Sequence, residues 1–199
     1  MNIAVFGGSF NPPHRAHLHL ADEFAESLRL DKMLIIPAFL PPHKASDAYA
    51  GAQDRLNMCR LLFSDKKYTV SDIEIKRQGK SYTVETLEEL EKEYPGANFY
   101  LIIGSDMLLS FHKWYRFGDI LRKCTLCVMT RENGISEKQM TEYAKNTLSL
   151  GEKELIVSCS APYEMSSTQI RELIRKNEDV SPYLSEEVEN YIREKRLYI

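Results

Sequence analysis

Short apolar runs alternate with amphipathic segments along most of the chain, and this alternation limits the available folds more than any other feature. The apolar runs have the length of strands, and the segments between them repeat their apolar residues every three to four positions. Parallel strands need helical crossovers between neighbours, and such a sheet is covered on both faces. The sequence therefore predicts an α/β, doubly wound, mainly parallel sheet. The predicted strands are residues 3–6, 33–36, 68–75, 99–103, 125–129 and 155–158.

The segments between these strands are predicted to be helices. They are residues 15–28, 53–63, 83–94, shorter pieces up to 123, 136–148, 167–176 and 184–194. The loop AFLPPHKASDAYAG, residues 38–51, is rich in turn formers, and a long loop in a compact domain is often functional. We expect one domain over residues 1–199, whose C-terminal helical part covers about 166–199.

Charge and hydrophobicity exclude several classes of protein. The 199 residues include 26 basic and 29 acidic side chains, a net charge of −3, which gives no basic field for nucleic acid or an anionic membrane. No apolar run approaches the roughly 20 residues that span a bilayer. The N-terminus, MNIAVFGGSF, lacks the basic region of a signal peptide. We therefore expect a cytoplasmic protein that binds neither nucleic acid nor membrane.

The four cysteines predict reduced thiols rather than a disulfide scaffold. Cys59, Cys124, Cys127 and Cys159 are few for this length. Cys124 and Cys127 have CxxC spacing, but the run KCTLCVMT lacks the turn of a zinc knuckle and the helix start of a redox motif. A buried structural role is the favoured interpretation.

The loop after the first predicted strand, GGSFNPPHRAHL, has the features of an anion site. Gly7 and Gly8 allow close approach of a ligand, and no third glycine completes the GxGxxG pattern of a dinucleotide-binding oxidoreductase. His14 and His17 stand at the amino end of the next helix, where unpaired N–H groups and the helix dipole favour an anion. The structural alternative is a helix-start His14 and a His17 packed on the sheet. His19 points away from both, and no tetrahedral metal set is completed.

A second group of anion-binding side chains follows the last predicted strand, in MSSTQIR. Ser166 and Gln169 fit a capping box, which by itself predicts only a well-started helix. The hydroxyls of Ser167 and Thr168, with Arg171 one turn later, add donors suited to phosphate oxygens. Because ligands bind at the carboxyl ends of parallel strands, we expect the two groups to form one polyphosphate site.

These two loops resemble the paired signatures of the nucleotidyltransferase superfamily, whose usual forms are GxFxPxHxGH and SSTxIR. Four further segments are similar to those of bacterial nicotinate-nucleotide adenylyltransferases: PPHK, SYTVETL, IIGSDMLLSFHKW and VENYIREKRLY. The similarity covers nearly the whole chain, least clearly at about residues 131–153. Ala16 stands where the family usually has a glycine. The resemblance implies a Rossmann-like nucleotidyltransferase fold with C-terminal helices.

The resemblance implies transfer of the adenylyl group of ATP to nicotinate mononucleotide, giving nicotinate adenine dinucleotide and pyrophosphate. A phosphate monoester has a second pKa of about 6, so the acceptor is ionised at neutral pH and needs no strong general base. Catalysis then depends on in-line positioning and on neutralising phosphate charge. The expected partners are ATP and nicotinate mononucleotide, Mg²⁺ is expected to arrive with ATP, and homo-oligomer formation is left open.

The resemblance also assigns roles to individual residues. It implies catalysis by His14, His17 and Arg171, with His17 at the α-phosphate. It implies ATP binding by Gly7, Gly8, Ser9, Phe10, Gly104, Asp106, Ser167 and Thr168, and acceptor binding by Lys44, Thr86, Trp114 and Tyr115. Amides near Thr86 and Tyr115 would receive the nicotinate carboxylate, and Trp114 would stack on the pyridine ring.

Simpler explanations exist for several of these residues. Asp106 could cap a helix, Trp114 could be a core aromatic, and Lys44 could be a solvated loop lysine. For the whole chain, the alternatives are another adenylyltransferase, with phosphopantetheine or nicotinamide mononucleotide as acceptor, and a nucleotide-binding sensor without catalysis.

Overall fold

A computed structural model describes residues 1–41, 50–129, 135–151, 154–158 and 165–199. Lys44 and Cys159, two residues singled out above, lie outside the described residues.

Six parallel strands form one sheet in the described part of the chain. Their order is β3-β2-β1-β4-β5-β6, and every neighbouring pair is parallel. The chain runs outward from β1 to β3, returns to the other side of β1 at β4, and runs outward again. This order confirms the predicted doubly wound α/β fold. The strands are Asn2–Gly8 (β1), Lys32–Pro37 (β2), Tyr68–Val70 (β3), Asn98–Gly104 (β4), Cys124–Met129 (β5) and Leu155–Ser158 (β6).

Helices connect the strands and cover both faces of the sheet. They are Arg15–Ser27 (α1), Ala52–Leu62 (α2), Ile73–Arg77 (α3), Thr83–Glu93 (α4), Ser105–Leu108 (α5), Phe117–Lys123 (α6), Glu137–Leu148 (α7), Ser167–Arg175 (α8) and Glu186–Glu194 (α9). A 3₁₀ turn spans Phe111–Lys113. Of the helices that the structure describes, none is long and apolar enough to cross a lipid bilayer.

The alternation of side chains along β1 divides the core in two. Ala4 and Phe6 join one buried cluster, whereas Ile3 and Val5 join the other, because successive strand residues point to opposite faces. The first cluster lies under α1, α2, α8 and α9, and the second lies under α4, α6 and α7. The C-terminal helices therefore pack on the same apolar layer as the helix that follows β1.

The predicted strand over residues 68–75 is wrong in its second half. β3 ends at Val70, and the Ser71 N–H donates to the Ile35 carbonyl at 2.9 Å as the last bond to β2. α3 then begins at Ile73, which packs on the second core cluster, and buries Glu74. The apolar residues of this segment fit the alternation of a strand as well as they fit one turn of a helix. Their spacing therefore could not distinguish a strand from a short helix.

The cysteines that the structure describes carry free thiols, as predicted. Cys59 and Cys127 are buried in the first core cluster, and Cys124 packs partly buried on the second. Burial in apolar surroundings raises the pKa of the Cys127 thiol to about 12. The CxxC pair therefore belongs to the packing of β5.

Candidate active site

The carboxyl ends of the central strands β1 and β4 open into a cavity of about 600 Å³. Ligands of open α/β sheets bind where the strand order reverses, and the reversal here lies between these two strands. Every described residue that the sequence analysis assigned to the site lines this cavity. These residues are Gly7, Gly8, Ser9, Phe10, His14, His17, Thr86, Gly104, Asp106, Trp114, Tyr115, Ser167, Thr168 and Arg171.

His14 and His17 lie at the amino end of α1, as predicted. His14 precedes the helix and is 3% exposed, and its backbone N–H donates to His17 Nδ1 at 3.2 Å. The two ring centroids are 3.8 Å apart. Because Nδ1 of His17 accepts this bond, the proton of its neutral imidazole lies on Nε2. The second nitrogen of His17 is therefore a donor, which suits an anionic oxygen.

Phe10 shapes the first loop from beneath. Its ring is 1% exposed and packs against the His17 ring, with centroids 5.0 Å apart. A Cβ on Gly8 would lie 3.1 Å from the Phe10 ring, whereas a Cβ on Gly7 would meet no atom within 4 Å. A side chain at Gly8 would thus crowd the Phe10 ring, whereas one at Gly7 would meet open space. The contribution of Phe10 to the site is packing under the loop.

The start of α8 forms the opposite wall of the cavity. Ser166 and Gln169 make the predicted capping box: Ser166 Oγ accepts from the Gln169 N–H at 3.2 Å, and Gln169 Oε1 accepts from the Ser166 N–H at 2.9 Å. Ser167 Oγ donates to the carbonyl of Pro12 at 3.0 Å. A side chain of the last loop is therefore bonded directly to the backbone of the first.

Arg171 makes the same connection with its guanidinium. Nη1 donates to the Asn11 carbonyl at 2.9 Å, and Nη2 donates to Thr168 Oγ1 at 3.2 Å. Among the residues that the structure describes, Nε of Arg171 is a buried donor without an acceptor. Such a donor is costly to bury unless a ligand satisfies it. The two groups that we expect to form one polyphosphate site therefore lie in contact in one cavity.

Aromatic side chains line the part of the cavity beyond β4. The rings of Trp114 and Phe111 are 4.8 Å apart and tilted by 31°, and those of Tyr82 and Tyr115 are 4.6 Å apart. Trp114 is only partly buried, and Tyr115 is 52% exposed. The core interpretation of Trp114 therefore accounts for its packing against Phe111, and the same side chain also lines the cavity.

The amide of Thr86 is used within α4. It donates to the Tyr82 carbonyl at 3.2 Å, and the Thr86 hydroxyl donates to Glu74 Oε1 at 2.6 Å. The helix begins at Thr83, and amides in a first turn have no carbonyl partner inside the helix. Thr83 and Val84 are therefore the better-placed amides for a carboxylate. The amides near Thr86 that the sequence analysis assigned to the carboxylate thus stay a prediction, with Thr83 and Val84 as the members of that turn that lack a helical partner.

Asp106 lies in the first turn of α5, directly after β4. Gly104 is the residue that precedes this helix, so capping does not explain the exposed carboxylate of Asp106. A carboxylate at this edge of the cavity can accept hydrogen bonds from ribose hydroxyls. Within the described ranges, no three His, Cys, Asp or Glu side chains are grouped so that they could hold a metal ion.

Arg55, which the sequence analysis missed, is 2% exposed and organises the loops around the cavity. Its guanidinium donates to three carbonyls: Ser9 at 2.8 Å, Phe39 at 3.0 Å and Ala50 at 3.1 Å. These carbonyls belong to the first loop, to the segment after β2 and to the segment that leads into α2. One signal of this role was available in the sequence. Arg55 stands one turn before Cys59 on the face of α2 that is buried in the core.

A parallel sheet whose first and last loops close on one anion-binding cavity defines the nucleotidyltransferase class of α/β proteins. The chain belongs to the cytidylyltransferase-like family, whose family model matches residues 5–173, and within it to the nicotinate-nucleotide adenylyltransferases. A relative from Clostridium tetani, named a probable nicotinate-nucleotide adenylyltransferase, is 36% identical over 196 residues and covers 98% of each chain. A relative of the same name from Geobacter sulfurreducens is 36% identical and covers 100% of this chain and 98% of its own.

Solved structures share the fold. Plasmodium falciparum nicotinic acid mononucleotide adenylyltransferase complexed with NaAD matches with a TM-score of 0.81 at 18% identity, over 99% of this chain and 97% of that one. The same enzyme complexed with APC matches equally well, over 99% of this chain and 96% of that one.

Proposed function

We propose that the protein transfers the adenylyl group of ATP to nicotinate mononucleotide, forming nicotinate adenine dinucleotide and pyrophosphate. The observation that carries the proposal is the direct bonding of Arg171 and Ser167 to the first loop, beside His17, in one cavity. That cavity continues to a partly open tryptophan and to the start of α4. It can therefore take a triphosphate and an aromatic mononucleotide side by side. Full-length relatives named for this activity support the same conclusion.

The reaction needs little covalent chemistry from the protein. An oxygen of the acceptor phosphate attacks the α-phosphorus of ATP, the bond from that phosphorus to the bridging oxygen breaks, and pyrophosphate leaves with that oxygen. The residues have to hold the two anions in line and to stabilise charge on the transferred and leaving groups. His17 Nε2, with His14 beside it, is proposed to donate to the α-phosphate.

Arg171 is suited to the leaving phosphates. Its two Nη groups are already bonded to Asn11 and Thr168, so the guanidinium is oriented before ATP binds. Donors fixed in advance stabilise developing charge without reorganising during the reaction. The Arg171 Nε–H, the hydroxyls of Ser167 and Thr168 and the amides of the first loop complete the proposed phosphate site.

The acceptor is proposed to bind on the α4 side of the cavity. Trp114 offers a ring face to the pyridine, and the first-turn amides of Thr83 and Val84 offer donors to its carboxylate. A carboxamide would place its NH₂ donor against one of these N–H groups. We propose a preference for the acid for this reason. Lys44, outside the described residues, stays a proposed contact for the mononucleotide.

ATP is proposed to enter as its Mg²⁺ complex. Mg²⁺ usually keeps several waters and binds substrate phosphates, with one or two carboxylates at most. Asp106 is the exposed carboxylate in the cavity wall, and it lies in a helix turn rather than in a metal-ligand cluster. A cavity wall with one exposed carboxylate fits an Mg²⁺ ion that is held mainly by ATP and water. Such an ion would screen the charge of the triphosphate.

The test is pyrophosphate release and product analysis with MgATP and each of three acceptors: nicotinate mononucleotide, nicotinamide mononucleotide and phosphopantetheine. We expect kcat/KM for the acid to exceed that for the amide by roughly ten- to a hundredfold, the effect of charge-assisted hydrogen bonds. An equal or higher value for the amide contradicts the preference. Turnover only with phosphopantetheine would identify a different transferase, and ATP binding without any turnover would indicate a sensor.

A further inference from the structure

A carboxylate lies in the wall of this cavity, where the proposed substrates are both anions. Glu74 is 6% exposed and lines the cavity between β2 and α4. Removal from water raises the pKa of its carboxyl above the ordinary value, although hydroxyl hydrogen bonds oppose the rise. A buried acid beside anionic substrates is unfavourable unless it performs a task there.

The hydrogen bonds of Glu74 all run in one direction. Thr86 Oγ1 donates to Glu74 Oε1 at 2.6 Å, and hydrogen bonding by the nearby Ser81 hydroxyl lowers the pKa of the same carboxyl. Each hydroxyl oxygen also accepts from an N–H group: Thr86 Oγ1 from Arg77 Nη2 at 3.0 Å, and Ser81 Oγ from the Phe39 N–H at 2.9 Å. The Thr86 hydroxyl also lies 3.4 Å from the Tyr82 carbonyl, so its shorter contact with Glu74 is the stronger one.

The direct ion pair with Arg77 is the weaker of the interactions. Arg77 Nη2 lies 3.9 Å from Glu74 Oε1, whereas Nη1 lies 2.8 Å from Glu89 Oε1. Glu85 faces Arg77 as well, at 3.8 Å. Arg77 is therefore shared among three carboxylates, and the two hydroxyls are the specific partners of Glu74.

These two hydroxyls bracket the proposed carboxylate subsite. Ser81 and Thr86 stand on either side of residues 82–85, which include the first turn of α4. The Ser81 N–H also donates to the Leu40 carbonyl at 3.0 Å, so the same point is tied to the segment after β2. A movement of either hydroxyl would move the amides of Thr83 and Val84.

We propose that Glu74 is a positioning residue for the acceptor: it fixes the first turn of α4 through Ser81 and Thr86, and so aims the amides that receive the nicotinate carboxylate. This inference rests on the proposed function and extends it to a residue that touches neither substrate. Its contacts lie on the acceptor side of the cavity, away from α8. Replacing Glu74 is therefore expected to weaken binding of the acceptor and to leave binding of ATP unchanged.

The test is the kinetic comparison of Glu74→Gln with wild type. Glutamine keeps one acceptor oxygen and replaces the other with a donor, so at most one of the two hydroxyls keeps its bond. We expect KM for nicotinate mononucleotide to rise about tenfold, with KM for ATP within about twofold and kcat within about threefold of wild type. Thr86→Val should reproduce this split, and the double variant should be no worse than the more impaired single variant.

Glu89→Gln is the matched control, because Glu89 also pairs with Arg77 but bonds neither hydroxyl. We expect both of its KM values to stay at wild-type levels. Unchanged KM for the acceptor in Glu74→Gln, or an equal rise in both KM values, would overturn the inference. If the wild type itself fails to use nicotinate mononucleotide, it is the proposed function that fails.

Amide hydrogen exchange tests the positioning without any substrate. Thr86 N–H is bonded to the Tyr82 carbonyl, so its exchange reports on the first turn of α4. We expect faster exchange at Thr86 in Glu74→Gln and no change in Glu89→Gln. Equal protection in both variants would overturn the inference. If Glu74→Gln does not fold, Thr86→Val carries the kinetic test.

Discussion

The hydrogen bonds of the Arg171 guanidinium give the most direct structural support for its proposed role at the phosphates. Two of its nitrogens are held by protein oxygens, and the third is a buried donor with no acceptor in the described chain. Burying an unsatisfied donor is unfavourable, and an anion at the proposed phosphate site would satisfy it. A planar, permanently charged group held in this way differs from a lysine at the same position, which would act as a mobile point charge.

Replacing Arg171 or His17 with alanine should lower turnover far more than it lowers stability. We expect kcat to fall by about 10²–10³-fold in each variant, the usual effect of removing one preorganised donor to a transition state. Arg171→Lys should restore little of the loss. The measurements are steady-state pyrophosphate release, with circular dichroism and urea unfolding to confirm the fold.

The controls come from the same two helices. Arg175→Ala removes an exposed arginine one turn after Arg171, and His19→Ala removes a histidine of α1 that does not line the cavity. Both should keep near-normal kcat. Near-normal kcat in a folded Arg171→Ala or His17→Ala variant would contradict the roles proposed for these residues.

Residue spacing in the sequence was sufficient to predict the histidine pair and the serine cap, because both depend on a helix start within a few positions. It could not show that the Phe10 ring leaves little room for a side chain at Gly8, since that contact depends on the folded loop. Nor could it show that the Thr86 amide is already bonded inside α4, which depends on where the helix begins. Contacts between distant segments, such as Arg55 with Ser9, gave only an indirect signal.

At the scale of elements, the sequence predicted most strands and helices to within one or two residues. Strong periodicity and clear turn residues explain this agreement, as at β4 and α4. The exception is the edge of the sheet. β3 has three residues and one neighbouring strand, so little backbone pairing opposes the turn into α3. Tertiary packing of Ile73 and Glu74, which a local pattern does not contain, decided the outcome.

The buried thiols of Cys127 in β5 and Cys59 in α2 should be inert in the native protein. Burial raises the pKa of Cys127 to about 12 and that of Cys59 well above its ordinary value, so thiolate, the reactive form, is scarce at neutral pH. We expect iodoacetamide at pH 7.5 to modify both residues only after denaturation, as measured by peptide mass spectrometry. The same protein in urea is the positive control. Prompt native modification of Cys127 would favour the redox interpretation of the CxxC pair.

At the scale of the whole molecule, the site depends on two ends of the chain meeting at one sheet edge. The rule for parallel sheets predicted this meeting from the order of elements alone. The structure adds how it is held: the Arg15 N–H donates to the Tyr183 carbonyl at 2.9 Å, and Tyr191 Oη donates to Asp54 Oδ1 at 2.9 Å. These bonds tie the C-terminal helical part to α1 and α2.

ATP binding should therefore stabilise the whole fold. A ligand at a hundred times its Kd adds about 2.7 kcal/mol, which corresponds to a rise in Tm of roughly 5–10 °C for a chain of this size. The measurement is thermal unfolding with and without MgATP. Arg171→Ala should lose most of the shift at the same ATP concentration, whereas Arg175→Ala should keep it. An unchanged shift in Arg171→Ala would mean that α8 does not hold the phosphates.

The bonds from Arg171 to Asn11 and from Ser167 to Pro12 join residues 160 and 155 positions apart. During translation, the histidine pair is made well before the arginine. A ribosome-bound nascent chain that lacks α8 can thus build its central strands but cannot close the cavity from the α8 side. The proposed phosphate site therefore forms only after α8 has been synthesised.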